Sequence, residues 1–483
     1  MQLAAVYTDP WVLSGTAIFV LVHLVLRYIR SGGRRLPPGP RGFPILGALP
    51  LVGPTPHTGL AALARKHGPV MYLKMGTCGV VVASSPAAAR QFLKVQDARF
   101  ADRPAVASAV DITYGFQTIA FGMQGPRWKQ MRKLSTVHLL GAQAMSEWAS
   151  VRRDEAGRLL RDVAGASVPG SWSPCRTYKE MITLVQSGSG LFNISDFVPA
   201  LSRFDLQGVQ AKLRKIHLRF DDMITSLLDE HSATATQRQG RPDFIDKLRA
   251  SMADSKDSND AADTISEVNV KGFVFDMFTA GTDTASIIAE WAMAEMIKNP
   301  SIMARAQEEM DRVVGRGRRL EESDIAGLPY LQAVCKEAMR LHPSTPLSIP
   351  HFSSEECEVD GYHIPKNTQL LVNIWAIGRD PATWEDPLEF RPERFLSGPA
   401  ASVDALGNHF ELIPFGAGRR ICVGKLAGMA FVQYFLGMLV HAFEWRLPEG
   451  EKLDMEEQFG LTMPKAVPLR AVVTPRLAPA AYA

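Results

Sequence analysis

The pattern of apolar and polar residues predicts a chain that is mostly helical and contains only short strands. The strand candidates are residues 69–76 and 79–85. The longest helix candidate covers about 264–299, because Ser266 can cap its start and Pro300 cannot continue it. With a rise of about 1.5 Å per residue this helix is roughly 50 Å long, so we expect it to cross a whole domain.

The chain shows no internal repeat and no low-complexity tract. Polar stretches that begin at His231 and Met252 are predicted to be exposed loops, since helical sequence lies on both sides of each. We therefore expect residues 51–483 to form a single large domain, mostly α with small β-sheets.

The N-terminal region contains a candidate membrane span. Residues 11–28 are mainly apolar, with one charged residue, Arg27, near their end, and a bilayer-spanning helix needs about 17–25 residues. Arginines follow this segment and none precedes it, which favours a luminal N-terminus and a cytosolic body. A cleaved secretory signal is the alternative, but such a signal would begin with basic residues. We expect a transmembrane anchor at 1–30, followed by a stiff proline- and glycine-rich connector at 31–50.

Composition narrows the classes of function. The net charge is +3, and basic residues form no tract long enough to indicate nucleic-acid binding. No pair of cysteines has the CxxC spacing of a structural zinc site, and the odd, sparse set does not indicate a disulfide framework. The five cysteines are Cys78, Cys175, Cys335, Cys357 and Cys422.

One cysteine has unusual neighbours. Cys422 lies in the segment PFGAGRRICVGK, residues 414–425, directly before a strongly apolar helix candidate. Backbone N–H groups at a helix start favour a thiolate, and the glycines allow a large flat group to approach closely. Arg420 could hold an anionic group of that ligand. For Cys422 alone, a buried structural cysteine remains the alternative.

The whole segment matches the pattern FxxGxRxCxG at every fixed position and resembles the haem-binding loop of the cytochrome P450 superfamily, the haem-thiolate monooxygenases. The resemblance implies the helical fold of that superfamily and a haem b whose axial iron ligand is Cys422, with Phe415 packed against the ligand loop. It also implies an endoplasmic reticulum protein with a single membrane span and a cytosolic catalytic domain. Its electrons would come from NADPH through a reductase.

Two further motifs match the same superfamily. Glu337 and Arg340 are three residues apart in KEAMR, and alone they would be a weak surface ion pair. The resemblance implies a buried network with Arg394 of RPERF that supports the cysteine loop. Trp128 and Arg132 in WKQMR would otherwise belong to an ordinary amphipathic helix.

The resemblance implies that this tryptophan and arginine, together with His351 and Arg420, bind the two haem propionates through charge-assisted hydrogen bonds.

The middle of the long helix carries AGTDTAS, residues 280–286. Three of its residues are unfavourable in an apolar helix, namely Gly281, Asp283 and Thr284. This combination indicates a local distortion with a function. A hydroxyl bonded back to a helix carbonyl is the alternative for Thr284. The resemblance implies that Asp283 and Thr284 relay protons to dioxygen bound at the iron.

Basic residues flank both the tryptophan motif and the cysteine. They form either an ordinary solvated face or a docking patch for an acidic reductase. They are Arg127, Lys129, Lys133, Arg419 and Lys425.

Several longer stretches, such as LPYLQAVCKEAMRLHPSTPL and FGLTMPKAVPL, resemble plant flavonoid B-ring hydroxylases, the 3′,5′-hydroxylases most and the 3′-hydroxylases next. The resemblance implies planar phenolic substrates, namely flavanones, dihydroflavonols and flavones, in an apolar slot. This slot is expected to be lined by residues 105–121, 275–284, 345–349 and 461–463. Its polar candidates are Thr345, Ser348 and Thr462.

The chain departs from this pattern between Cys175 and Leu191, where it is shorter than its relatives, and at Val423, which follows the cysteine. Three alternatives stay open at this point. They are a hydroxylase for the 3′ position alone, a haem enzyme that rearranges peroxides without a reductase, and a paralogue that binds haem but has lost or altered activity.

Overall fold

Helices dominate the part of the chain that the computed structural model describes, namely residues 34–165, 192–238, 240, 242–255 and 265–482. Fourteen α-helices occur there, which confirms the mostly helical prediction. In chain order, α1 to α14 are Leu49–Val52, Pro56–His67, Pro86–Arg90, Pro126–Ser135, Ala142–Glu147, Ala149–Gly165, Ile194–Phe197, Val209–Ala233, Phe244–Ser255, Glu267–Lys298, Pro300–Val313, Pro329–Leu341, Ile374–Ile377 and Lys425–Ala442. The predicted anchor at 1–30 and the whole segment between Cys175 and Leu191 lie outside the described residues.

The strands are short and form three small sheets. Strands β1 to β8 are Val70–Met75, Cys78–Ala83, His351–Phe352, Cys357–Val359, Tyr362–Ile364, Thr368–Val372, Phe443–Arg446 and Val472–Pro475. The largest sheet has the order β1-β2-β6-β3, in which β2 and β6 are parallel and the other two pairs are antiparallel. The pairs β4-β5 and β7-β8 form the other two sheets.

The second half of the predicted connector packs against the first sheet. The N–H of Tyr72 on β1 donates to the carbonyl of Pro38, and Gly47 forms a bridge with Met75. Gly47 has a φ of 61°, and a β-carbon at this position would lie 1.9 Å from the carbonyl oxygen of Lys74. This close approach therefore requires a glycine.

The long helix α10 begins and ends almost where the sequence predicts. The Ser266 hydroxyl accepts from the N–H of Asn269, whose side chain accepts from the Ser266 N–H, so the two residues form a capping box. Residues near both ends of α10 are buried, whereas 280–282 and Ser286 in its middle are exposed. Since no heavy atom lies within 4 Å of a β-carbon built on Gly281, the middle of the helix borders an open space.

The largest apolar cluster joins helices α6, α10, α11, α12 and α14. Within the described residues, α14 is the one helix that is long and apolar enough to cross a membrane, and half of the corresponding window is buried inside the protein. Its buried residues pack against α10 and α12. It therefore serves as a core helix that begins just after Cys422.

Candidate active site

Cys422 lies in a tight loop whose end starts α14. The Cys422 N–H donates to the carbonyl of Phe415 over 2.9 Å, and Phe415 rests against Gly428, where a β-carbon would lie 3.0 Å from its ring. Part of Cys422 is exposed, although nearby protein atoms desolvate its sulfur. This burial raises the pKa of the thiol, while the Gly424 N–H and the nearby charge of Arg132 oppose the rise. A metal bound to this sulfur would displace its proton.

The three residues of the predicted structural network lie together. Glu337 and Arg340 on α12 are fully buried and form two hydrogen bonds of 2.8 Å, and Arg394 contacts the same carboxylate at 3.1 Å. Arg340 also donates to the carbonyls of Pro387 and Glu389, at 2.7 and 3.0 Å. The network therefore fixes α12 to the chain segment that precedes the cysteine loop.

The Trp128 ring on α4 contacts two guanidinium groups. The Cζ atom of Arg420 lies 4.1 Å from the ring centroid, and that of Arg132 lies 5.1 Å from it. Arg132 donates to the carbonyl of Ile421, next to the cysteine, over 2.8 Å. The indole N–H of Trp128 donates to the carbonyl of Ile119 at 3.0 Å. The indole therefore already has a backbone partner in this structure.

Arg420 is buried and incompletely paired. Its Nη2 donates to the carbonyl of Gly122 over 2.7 Å and its Nε to that of Ala101, but its Nη1 is buried without a hydrogen-bond partner. Burial lowers the pKa of Arg420 to about 10; the charge of Asp102 opposes this shift and that of Arg132 adds to it.

Another buried arginine of this region, Arg103, was not predicted from the sequence. It is 4% exposed and donates to the carbonyls of Ala120, Ile349 and Pro350 at 2.7–3.0 Å. Burial holds its pKa well below the usual range, and the charges of Arg420 and Arg132 lower it further. An arginine just before a proline in a mixed stretch gives no sequence signal for burial.

His351 lies beside the same group of cations. Its Nδ1 is 2.9 Å from the carbonyl of Phe100, so this nitrogen carries the hydrogen and donates it. Burial holds the pKa of His351 well below its usual range, and the charge of Arg103 lowers it further. The imidazole is therefore neutral, and its Nε2 is an acceptor.

We call Arg103, Arg132 and Arg420 the cation cluster, beside which the neutral His351 lies. In the described part of the chain, the hydrogen-bond partners of its three arginines are backbone carbonyls and not carboxylates. Buried cations bound to backbone carbonyls, one unpartnered guanidinium nitrogen, an accessible thiol and open space beside Gly281 together fit a flat group with carboxylates and a thiol-ligated metal. A haem has these properties, so the residues present fit the cofactor that the sequence implies.

The two residues of the predicted proton relay have different partners. The Thr284 hydroxyl donates back to the carbonyl of Ala280 over 2.8 Å, the ordinary bond of a helical threonine. A carboxylate oxygen of Asp283 accepts from the hydroxyl of Thr462 at 2.8 Å. Since Thr462 is 3% exposed, this predicted substrate residue is bound to the relay in this structure.

An apolar cavity lies between the first sheet and helix α7. It brings together three of the four predicted slot segments, 105–121, 345–349 and 461–463, whereas 275–284 of the long helix does not border it. Ser348 lines the cavity, and Thr345 and Thr462 do not. Apolar side chains in its wall include Phe121, Phe192, Phe197, Leu347, Leu371 and Phe459.

Some residues of the predicted basic face are exposed, and others are bound to neighbouring groups. Lys129 and Lys133 on α4 are exposed. Arg419 forms an ion pair with Asp97 at 3.1 Å, and Lys425 donates to the carbonyl of Leu406. Arg419 is exposed but paired, so the two lysines are the exposed charges of this face that no ion pair in the described chain neutralises.

Comparison with known proteins gives a consistent result. The sequence model of the family described as Cytochrome P450 matches residues 37–168 and 175–469. A flavonoid 3′,5′-hydroxylase of Solanum melongena is 47% identical over 96% of each chain, and a flavonoid 3′-monooxygenase of Arabidopsis thaliana is 44% identical over 98% of each chain. A zebra fish cytochrome P450 solved with progesterone superposes with a TM-score of 0.72 at 28% identity, over 87% of this chain and 99% of that chain.

Identity of this extent over almost the whole length leaves no other family to consider, and the cysteine loop, the buried arginine network and the long helix agree with it. The chain belongs to the cytochrome P450 family of haem-thiolate monooxygenases.

Proposed function

We propose that this chain hydroxylates the B ring of flavonoids, at the 3′ position or at both the 3′ and 5′ positions. The observation that carries this proposal is the identity of 44–47% with flavonoid hydroxylases over at least 96% of the chain. In the reaction, one oxygen atom of dioxygen enters an aromatic C–H bond as a hydroxyl group. The other leaves as water, with two electrons from NADPH and two protons.

The haem supplies the activation of dioxygen when it is bound, and a thiolate ligand favours cleavage of the O–O bond. We propose that Cys422 holds the iron and that Arg132, Arg420 and Arg103 hold the two haem carboxylates. Charge-assisted hydrogen bonds of this kind are stronger than neutral ones, and burial increases their strength. His351 donates its Nδ1–H to the protein in this structure, so its Nε2 must gain a proton before it donates to a carboxylate.

Asp283 and Thr284 are the proposed proton carriers. The hydroxyl of Thr462 donates to one carboxylate oxygen of Asp283 and so orients this carboxylate for proton exchange. Thr284 can exchange its bond to Ala280 for a bond to a ligand or water in the space beside Gly281. Both side chains would then deliver protons from the middle of the long helix.

Partners follow from the same assignment. An NADPH-dependent reductase with an acidic surface would supply the electrons, and the exposed Lys129 and Lys133 on α4 would attract it. We propose that residues 1–30 anchor the chain in the endoplasmic reticulum membrane by a single span, that 31–50 connect the anchor, and that 51–483 form the cytosolic catalytic domain.

A flavanone or dihydroflavonol is the proposed substrate. Its planar, mostly apolar skeleton suits a cavity with aromatic walls, and its hydroxyl and carbonyl groups need a few polar partners. Ser348 lies in that wall and is one such partner. Thr345, which is half-buried nearby in sequence, is the second candidate.

The test is expression of the full chain with a plant reductase in microsomes. The reduced carbon monoxide complex is expected to show a thiolate-type absorbance band that is lost in Cys422→Ser. Incubation with naringenin and NADPH is expected to give a B-ring hydroxylated product, whose mass and fragmentation distinguish one added hydroxyl from two. A normal band without any NADPH-dependent product from flavanones, dihydroflavonols or flavones would refute the proposed activity.

A further inference from the structure

Asp276 is a buried carboxylate on α10 that belongs to none of the motifs above. Its side chain is 6% exposed and lies seven residues before Asp283, about two helical turns away. One of its carboxylate oxygens accepts from the backbone N–H groups of Ile119 and Ala120, at 2.6 and 3.1 Å. A buried carboxylate is costly unless it is hydrogen-bonded, and these two N–H groups offset part of that cost.

The segment 119–122 holds three side chains of the haem region through its carbonyls. The Ile119 carbonyl accepts from the Trp128 indole at 3.0 Å, and the Ala120 carbonyl accepts from Arg103 at 3.0 Å. The Gly122 carbonyl accepts from Arg420 at 2.7 Å.

The peptide unit between Ile119 and Ala120 connects these contacts directly. Its N–H donates to Asp276, and its carbonyl, on the opposite edge of the same plane, accepts from Trp128. Because a peptide unit is planar, a carboxylate that fixes the N–H also fixes the direction of the carbonyl. Hydrogen bonds linked in this way also polarise one another.

The same face of α10 contacts Gln117, two residues before this segment, at two more positions. Asn269 donates its side-chain amide to Gln117, at 3.3 and 3.4 Å from the side-chain and backbone oxygens. At Gly272 a β-carbon would lie 3.3 Å from the Gln117 carbonyl oxygen. Residues 269, 272 and 276 are spaced three and four apart, so they present one helix face to the segment.

We propose that Asp276 is a positioning residue for the haem carboxylate site: it fixes the segment 119–122 on α10 so that Trp128, Arg103 and Arg420 are held ready for the two carboxylates. This inference rests on the haem role proposed above for the cation cluster. In the part of the chain that the structure describes, Asp276 forms hydrogen bonds with the backbone N–H groups of Ile119 and Ala120, so it acts on the cluster through the backbone.

The experiment measures haem loss from the purified full chain by transfer of haemin to excess apomyoglobin. At pH 8, where Asp276 is ionised, Asp276→Asn keeps the size of the side chain but removes its charge. We expect haem loss to accelerate by about tenfold, the effect of weakening hydrogen bonds to a charged group. Glu290→Gln is the matched control, because Glu290 also lies on α10 and accepts a backbone N–H, that of Leu469, at 2.7 Å. We expect the control to lose haem at the rate of the unmodified chain.

A double-mutant cycle separates positioning from general destabilisation. Arg420→Gln alone is expected to accelerate haem loss, and its effect should be clearly smaller in the Asp276→Asn background, because the segment no longer holds Arg420 in place. In the control pair, Arg420→Gln should change the rate of haem loss by the same factor with and without Glu290→Gln. Independent effects of Asp276→Asn and Arg420→Gln would overturn the proposal.

Two outcomes distinguish this inference from the haem assignment. If Arg420→Gln and Arg132→Gln both retain haem as well as the unmodified chain, the proposed haem site is wrong. If they lose haem faster while Asp276→Asn does not, only the positioning role is wrong. Should Asp276→Asn fail to fold, Asp276→Glu is measured instead, because it keeps the carboxylate but moves it away from the N–H groups of Ile119 and Ala120. If this variant loses haem at the rate of the unmodified chain, the position of the carboxylate does not matter and the proposal is wrong.

Discussion

The hydroxyl of Thr462 lies 2.8 Å from a carboxylate oxygen of Asp283, and it donates a hydrogen bond to that oxygen. The two residues are 179 positions apart in sequence. The next residue, Met463, accepts from the indole N–H of Trp291 on α10 at 3.0 Å, so the C-terminal loop is fastened to the long helix at two adjacent points. A residue that the sequence assigns to substrate binding therefore orients the proposed proton carrier.

Replacing Thr462 by valine should lower turnover more than substrate affinity. The valine keeps the shape but removes the hydroxyl that donates to Asp283. We expect kcat to fall by about tenfold, less than the roughly 10²–10⁴-fold contribution of a complete proton-transfer group, because the carboxylate itself remains. NADPH consumption without product should increase, whereas KM should change little. The measurement is product formation and NADPH oxidation side by side.

Thr462→Ser is the matched control for this change, since it retains the hydroxyl and should retain most of the turnover. A rise in KM at constant kcat in the valine variant would instead assign Thr462 to substrate contact.

Breaking the buried network should prevent stable folding. Glu337→Gln removes the charge that faces Arg340 and Arg394, and loss of one partner in a buried ion pair typically costs about 3–5 kcal/mol. We expect little folded, haem-loaded protein, measured by the thiolate-type absorbance per milligram. Glu155→Gln is the control, because Glu155 and Arg158 have the same spacing but are exposed.

Arg103 should contribute to haem retention although no motif includes it. Arg103→Gln removes a buried charge next to Arg420, so haemin should transfer to apomyoglobin faster by about tenfold, as for loss of a charge-assisted contact. Arg99→Gln changes an exposed arginine that pairs with Glu355 and should have no effect. Equal rates for both variants would exclude Arg103 from the carboxylate site.

The pH dependence of stability should change in Asp276→Asn. Burial raises the pKa of Asp276 to about 7 despite the N–H groups of Ala120 and Ile119, so the folded chain holds a proton on Asp276 between about pH 4 and 7 that the unfolded chain releases. The stabilisation is present below pH 4 and is lost as pH rises through 7. Relative to the variant, the unmodified chain should therefore lose up to about 4 kcal/mol of unfolding free energy across this range.

Melting temperatures of both proteins, measured at intervals between pH 5 and 8, provide the check. A constant difference across this range would show that Asp276 keeps an ordinary pKa in the folded state.

Charge reversal at Lys129 and Lys133 should slow reduction by the reductase. Both lysines are exposed on α4, the helix that carries Trp128 and Arg132. We expect the rate of reduction of the double glutamate variant to fall at low salt and to lose its salt dependence. Lys212→Glu, a change at an exposed lysine on α8, is the control. Unchanged rates and salt dependence in the double variant would remove these lysines from the docking surface.

Local sequence patterns determined the fold class, the limits of the long helix and the position of Cys422. Helix ends depend on neighbouring residues: Ser266 forms the cap, and Pro300 starts a new helix. The cysteine loop depends on glycines and a helix start within a dozen residues, so its chemistry can be inferred from sequence alone.

Contacts between distant segments were decided only by the tertiary structure. Nothing local distinguishes Arg103 from an exposed arginine, Thr462 from a substrate contact, or Asp276 from a solvated acid, because each acquires its partners from segments more than a dozen residues away. Burial and pairing of charged groups are properties of the packed chain, since desolvation depends on all the surrounding atoms. The sequence therefore specifies which residues can do chemistry, and the packing specifies which of them face one another.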